Sequence, residues 1–295
     1  MSDVRVAVVI PAYRAGAWIG EAIRSLVVQS HREWEAWIVA DDGEDYEAML
    51  GRQGLAGSRL RFLSTGRLGA GAVTARNLAL DCLSSRYVAV LDADDRMKPD
   101  KLARAVAALQ THAIVSCALD VMDQDYRHLR HVGVGPDREL TPAAYKFTCL
   151  SMDSMLVWDR TRCDARYDPA FSNMSDLEFL MQLWRTAPAT WHLGTPAHDY
   201  IKVMTSMSNA SGVTERMIAA KRALLQRLGA GHYRFAAPGT SEGLAAFLEL
   251  SLAAEAAYPA ALAATPGLLF EDHLEPMLRA RAAVAQTSAA STSRT

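Results

Sequence analysis

The stretch YVAVLDADDRMK carries five mostly apolar residues directly into Asp92, Asp94 and Asp95. Acids at a strand end serve either as turn residues or as holders of a cation. A second group, Asp41-Asp42-Gly43, closes the run WEAWIVADDG in the same way. Carboxylates crowded together repel one another unless something positive sits among them. An oxygen-rich, cysteine-free cluster suits Mg²⁺ or Mn²⁺, and such an ion completes its shell with water and substrate phosphates. The cluster therefore points to a phosphorylated ligand.

These acids meet only if the strands that end in them run parallel and side by side. VRVAVVI (Val4 to Ile10) is a continuous β-branched run of the kind buried on both sheet faces, and Pro11 is expected to end it. A helix follows with Trp18, Ala22, Ile23, Leu26 and Val27 at helical spacing. Strand WEAWIVA, strand LRFLST, a Gly-opened helix carrying Val73, Leu78, Leu80 and Leu83, strand YVAVL, a helix with Pro99 near its first turn and strand AIVSCALDVM complete the series. This alternation predicts an α/β fold: a doubly wound, mostly parallel sheet with helices on both faces. Ligands of such sheets bind beyond the carboxyl ends of the strands, which puts Pro11-Ala12-Tyr13, Asp41-Asp42 and Asp92 to Asp95 on one edge.

Beyond about Asp120 the pattern loosens. DSMLVW and ATWHL read as strands and SDLEFLMQLWRT as a helix. VTERMIAAKRALLQRL is an amphipathic helix with Val213, Met217, Ile218, Leu224, Leu225 and Leu228 on one face and Lys221, Arg222 and Arg227 on its polar side. An Ala-rich helix, SEGLAAFLELSLAAEAAY, follows, and the small polar residues at the end read as disordered. The expected division is a catalytic domain over 1–208 (a nucleotide-binding half, 1–110, and an acceptor-side half, 111–208), a helical extension over 209–285 and a tail over 286–295.

The bulk properties remove several functions. A net charge of −2 offers no basic surface for nucleic acid. The four cysteines (Cys82, Cys117, Cys149, Cys163) are scattered without a C-x-x-C pair and read as reduced thiols of a cytosolic protein. The N-terminal apolar run is too short and wrongly flanked for a signal peptide, and no uninterrupted run approaches the ~18 apolar residues of a membrane span. Strand one leads into PAYRAG rather than G-x-G-x-x-G, and no G-x-x-x-x-G-K-[ST] loop occurs, so neither common nucleotide-binding fingerprint is present.

Together VVIPAYRAGAWIGEAIRSLVVQS, WEAWIVADDG, GAVTARNLAL, YVAVLDADD and the later RYDPAFSNMSDLEFLMQLWR resemble family 2 glycosyltransferases of the GT-A fold in order and approximate spacing, over roughly residues 3 to 208. The resemblance implies transfer of a sugar, with inversion, from a nucleotide diphosphate donor, usually UDP, to an acceptor hydroxyl, with bound Mn²⁺ or Mg²⁺. It implies that Pro11, Ala12 and Tyr13 line the nucleobase, with Tyr13 as a stacking face, and that Asp42 accepts from the uracil ring N–H. Asp41 serves the turn or the site. Arg76, in ARN, matches a position close to the nucleotide, against the plain reading of a first-turn helix residue. Asp92 and Asp94 match the family's D-x-D: Asp94 as metal ligand, Asp92 as partner of the ribose, the metal or a metal-bound water. Asp95 is read as a cap of the following turn. Asp176 matches the catalytic base, which takes the proton of an attacking hydroxyl. It is equally placed to start a helix, and Glu178 is the second candidate.

Two departures stand out. The family's usual Glu-Asp is Ser175-Asp176 here, and near Ser206-Met207-Ser208 the expected His or Arg is replaced by Val203 and Met204. Lys202 and His198 are the available substitutes at the leaving diphosphate. The rival functions are a sugar nucleotidyltransferase and a nucleotide-sugar binder without turnover. For the extension, one reading lays its basic helix on an anionic membrane, beside a lipid-linked acceptor; the other packs it on the catalytic domain or makes a homo-oligomer contact. Ala-rich apolar stripes favour packing. The resulting expectation is a cytoplasmic enzyme, peripheral at the membrane if the first reading holds, acting on an unspecified glycan or lipid-linked acceptor.

Overall fold

The computed structural model describes residues 5–148, 155–202 and 213–292. Four strands, β1 (Val6–Ala12), β2 (Trp34–Ala40), β3 (Leu60–Ser64) and β4 (Tyr87–Val90), pair in parallel in the order β3-β2-β1-β4. Val6 to Ile10 are all buried, as a β-branched run covered on both faces requires. The connecting helices are α1 (Ile19–Val27), α2 (Tyr46–Arg52) and α3 (Ala72–Cys82). α2 escaped the sequence reading; Asp45 caps it by accepting from the Ala48 N–H at 2.9 Å.

Pro11 does not end β1 but lies inside it, opposite Val39. The β1–β4 register stops at Val9 and Val90, with one further bond from the Leu91 N–H to the Val9 carbonyl. Pro11 turns its missing donor toward that side, where the ladder has finished and no hydrogen bond is lost.

The second half comprises β5 (Arg96–Met97), α4 (Lys101–Ala108), β6 (Ile114–Asp123), β7 (His128–Val132), β8 (Arg138–Leu140), α5 (Pro142–Thr148), β9 (Val157–Asp159), α6 (Ser175–Leu183) and β10 (Thr190–Lys202). The sheet continues from β4 through β9, β6 and β10 to β5. β6 and β10 are parallel, but β9 runs antiparallel to both β4 and β6. The sheet is therefore mixed, where strict alternation predicted a mostly parallel one. The reversed strands β9, β5 and β8 are only two or three residues long, too short to carry a period, and β7 pairs antiparallel with β6.

Three helices follow: α7 (Val213–Gly229), α8 (Thr240–Ala264) and α9 (Phe270–Thr292). α8 passes through Pro259, and α9 runs beyond residue 285, where the polar tail was expected to begin. α8 has a mean hydropathy of 1.2 over its most apolar window and is long and apolar enough, by length and composition, to cross a membrane. Glu249 and Glu255 interrupt its apolar run, which is why the sequence showed no continuous span. Here α8 packs against α5, α7 and α9, burying Leu244, Phe247, Leu248 and Ala254. Gly243 permits the closest approach: a Cβ there would lie 2.5 Å from Ala143 Cα of α5.

The polar face of α7 is not the open cationic face that its sequence suggested. Lys221 is buried, donates to Glu255 of α8 at 2.5 Å and lies 4.7 Å from the Phe270 ring centre. Arg227 pairs with Asp168 at 2.6 Å. Only Arg222 of the three is exposed. These internal pairings favour the packed reading of the extension. Breaking a buried ion pair leaves an uncompensated charge, so Lys221→Ala should cost about 3–5 kcal/mol in urea unfolding. The double change Lys221→Met with Glu255→Leu should recover most of that loss; if it is as destabilised as the single variant, the pair is not the contact that docks α8.

Candidate active site

The carboxyl edge of β1, β2 and β4 brings together the residues singled out by sequence. Asp41 and Asp42 divide the work at the end of β2. Asp41 is buried and accepts from Thr65 Oγ1 at 2.7 Å, from the Ala70 N–H at 2.9 Å and from the Gly71 N–H at 2.8 Å. It thus ties the loop between β3 and α3 to the sheet edge. Gly69 of that loop adopts φ +67, and a Cβ there would lie 3.9 Å from Cε2 of Tyr13. The Tyr13 ring is half exposed beside this loop, with the Arg14 guanidinium 5.2 Å from its centre. Ala12 is fully buried, while Pro11 is partly exposed.

Asp42 is held differently. Tyr46 Oη donates to its Oδ2 at 2.7 Å, the Arg14 N–H donates to the same oxygen, and the Glu44 N–H donates to Oδ1 at 3.1 Å. Burial works against the charge, but the Tyr46 and backbone donors outweigh it and hold the carboxyl below its ordinary range. Burial and the neighbouring Asp42 push the Tyr46 hydroxyl up, and that hydroxyl also accepts from the Ala15 N–H at 3.0 Å. Tyr46 is a site-building residue that sequence reasoning missed. Its position four residues after Asp42, in the first turn of a short capped helix, is the signal that could have found it.

At the end of β4 the three acids take three roles. Asp92 accepts from Arg76 Nη2 at 2.7 Å. Asp94 has no cationic partner among the described residues, and burial together with the Asp92 charge pushes its pKa up to about 6. Asp95 is buried and accepts from the Ile201 N–H of β10 at 2.8 Å and from His198 Nε2 at 3.1 Å. It anchors β10 rather than capping α4, whose N-cap position is Asp100. His198 Nδ1 in turn faces Lys101 Nζ at 2.8 Å, with all three side chains buried. Burial lowers both cationic partners, the imidazole most strongly, and raises Asp95.

Neither proposed substitute at the diphosphate is free. His198 is enclosed between Asp95 and Lys101, and Lys202 pairs with Glu271 at 3.2 Å. Val203, Met204, Ser206, Met207 and Ser208 lie outside the described residues.

Arg76 joins the strand end to the later segment. It is buried, its Nη1 donates to Asp176 Oδ1 at 2.6 Å while Nη2 holds Asp92, and the Tyr167 ring centre lies 5.2 Å away. Burial disfavours the charge, yet Asp176 and Asp92 more than offset it and push the pKa up. The adjacent Asn77 donates to the Tyr167 carbonyl at 2.8 Å and accepts from the Tyr167 N–H at 2.9 Å. Two successive residues of α3 thus fix the segment that leads to α6. Asp176 sits in the first turn of α6, after Met174 at φ 58, with its side chain 32% exposed. Glu178, the second candidate base, is fully buried, accepting from Gln182 at 2.7 Å and Tyr233 at 3.1 Å. It belongs to the packing around α6, not to the cleft.

The chain belongs to glycosyl transferase family 2. The sequence model of that family matches residues 7–156. Among curated relatives, TuaG of Bacillus subtilis (strain 168), whose name places it in teichuronic acid biosynthesis, is 28% identical over 69% of this chain and 81% of that one. The UDP-Glc:alpha-D-GlcNAc-diphosphoundecaprenol beta-1,3-glucosyltransferase WfgD of Escherichia coli is 32% identical over 37% of this chain and only 42% of its own length. The fold matches S. aureus TarS 1-349 in complex with UDP-GlcNAc, with a TM-score of 0.68, 16% identity and coverage of 93% and 79%. It also matches the mannosyltransferase PcManGT of Pyrobaculum calidifontis, in complex with GDP-Man and Mn2+, with a TM-score of 0.56, 18% identity and coverage of 96% and 80%. The chain is a GT-A-fold glycosyltransferase of that family, which sets aside the nucleotidyltransferase alternative.

Asp41 supports the site without being free to contact a ligand. Asp41→Ala removes the acceptor of three hydrogen bonds and should lower stability by about 1.5–3 kcal/mol or more in chemical unfolding. An unchanged midpoint would show that the loop from 65 to 71 is held by other contacts.

Proposed function

We propose that this glycosyltransferase moves a sugar from a UDP-sugar to an acceptor hydroxyl with inversion, that Asp176 is the general base and that the reaction depends on a divalent cation. The observation that carries this reading is the Asp92–Arg76–Asp176 bridge. It sets the acid of the later segment one guanidinium away from the acids of the strand end.

The uridine end belongs beside β1 and β2. Tyr13 offers an exposed ring face and Pro11 a partly exposed one, with Ala12 buried between them in sequence. Asp42, kept ionised by Tyr46 and the backbone donors, accepts from the base N–H. The diphosphate end belongs at Asp92 and Asp94. The chemistry of the residues there fits a metal: Asp94 faces the Asp92 charge without a cation of its own among the described residues, and burial together with that charge raises its pKa. Asp94 and Asp92 would hold Mn²⁺ or Mg²⁺, which when bound supplies positive charge to the departing diphosphate. Arg76 holds Asp92 and Asp176 in fixed relation. Asp176, partly exposed, receives the acceptor proton as the hydroxyl attacks the anomeric carbon from the face opposite the diphosphate.

The UDP assignment is supported by the TarS complex with UDP-GlcNAc and by the WfgD name, and dependence on a metal by the Mn2+ of the PcManGT complex. A lipid-linked or glycan acceptor is supported by the names of the same relatives. It fits a protein working at the cytoplasmic side of a membrane.

Two substitutions separate donor binding from chemistry. Asp94→Asn should abolish the Mn²⁺ dependence of UDP binding measured by calorimetry. Asp176→Asn should leave that binding nearly unchanged and lower sugar transfer by about 10²–10⁴-fold, the usual worth of a general base. Wild-type turnover in Asp176→Asn would reduce Asp176 to a helix-start residue. Full binding without turnover in the unaltered chain, across a panel of nucleotide sugars and acceptors, would make the protein a binder.

A further inference from the structure

A second group of ligating side chains lies away from the donor edge, on the ribbon formed by β6 and β7. Asp120 of β6 stands directly opposite His131 of β7 in the antiparallel register. His131 Nδ1 lies 2.5 Å from Asp120 Oδ1, His128 Nε2 lies 3.4 Å from the same oxygen, and the two ring nitrogens are 3.2 Å apart. The ring centres are 4.3 Å apart. Three lone-pair-bearing atoms, one from each residue, thus converge on a single point.

The backbone is arranged to make this happen. Residues three apart on a regular strand point to opposite faces. Here the register passes from Val121 opposite Arg130 to Met122 opposite His128, leaving Leu129 unpaired in a bulge. The extra residue brings His128 round to the side on which His131 already faces Asp120. Asp120 is mostly buried, while both rings reach solvent, so an ion has a path to the site and an open position for water.

We propose that Asp120, His128 and His131 form a binding site for one transition-type divalent cation of the Zn²⁺ class. The donor set is two imidazoles and one carboxylate. Tetrahedral zinc with bonds of about 2.0–2.1 Å separates its ligand atoms by about 3.3 Å; two of the three spacings already match, and the third needs a small opening of the Asp120–His131 contact. Imidazole-rich sites favour zinc over the oxygen-seeking Mg²⁺ and Mn²⁺ that suit Asp92 and Asp94. The two sites therefore differ in kind as well as in place. Lys98 lies 2.7 Å from Asp120 Oδ2, leaving Oδ1 to the ion, and Asp199 shares the Lys98 charge at 3.1 Å. The carboxylate is thereby oriented from outside the site, as metal-binding carboxylates are.

The consequence is structural. Arg130, between the two histidines, reaches Glu275 at 2.6 Å and Asp272 at 3.1 Å on α9. A cation closing the β6–β7 ribbon fixes the strand on which α9 is held. The proposal is independent of the donor and base assignments.

The test is Zn²⁺ titration of the full chain by calorimetry and by thermal unfolding, in an Asp94→Asn background so that the strand-end acids are weakened in every arm. The Asp94→Asn protein should take up about one more equivalent than the same protein carrying His128→Ala and His131→Ala, and Zn²⁺ should raise its unfolding temperature alone. Both rings are exposed, so their removal leaves the core intact; circular dichroism without metal checks this. Equal uptake with and without the histidines, or no uptake in either, overturns the proposal.

Discussion

The site depends on one buried cation shared by two carboxylates. Arg76 carries its charge into the interior, where a lone guanidinium is costly, and Asp92 and Asp176 jointly stabilise it there. The arrangement requires three elements to meet: α3 supplies the arginine, the end of β4 supplies Asp92, and the first turn of α6 supplies Asp176. Arginine alone among cationic side chains has the planar fork to serve two acids from separate nitrogens. Asn77, beside it in sequence, locks the backbone at Tyr167, so the approach to α6 is set by main-chain hydrogen bonds as well as by charge.

Around that bridge the acids of the sheet edge are sorted by their partners. Asp41 is spent on loop backbone, Asp42 is kept ionised by donors, Asp95 is spent on His198 and β10, and Asp94 is left with a negative neighbour and no cation among the described residues. Identical side chains within a few residues thus acquire different chemistry through burial and hydrogen bonding. The proposed metal role falls to Asp94 rather than Asp95 on this asymmetry, although the two are adjacent in sequence.

Much of this was legible in the sequence because it is local. β-Branched runs marked β1 and β4, and the acids that close β2 and β4 marked the ligand edge. The resemblance placed Arg76, Asp92, Asp94 and Asp176 in one site before any distance was known. What could not be read was non-local. The reversal at β9 lies in three residues, the partnership of Asp95 with His198 spans more than a hundred positions, and the burial of Lys221 depends on a glutamate one helix further on. Glu178 and Asp176 share a helical turn, and only packing against Tyr233 shows that Glu178 faces inward. Amphipathic spacing likewise marked a polar face on α7 without revealing that α8 covers part of it.

If Asp176 is the base and Arg76 serves turnover by holding it, a double-mutant cycle on turnover shows this most directly. UDP release from a UDP-sugar is measured for Arg76→Met, Asp176→Asn and the double variant, at saturating donor and metal. Residues that work as one unit lose little more together than apart. The account predicts that the double variant turns over about as slowly as the slower single variant. Losses that multiply would contradict it, showing that Arg76 and Asp176 serve the reaction independently.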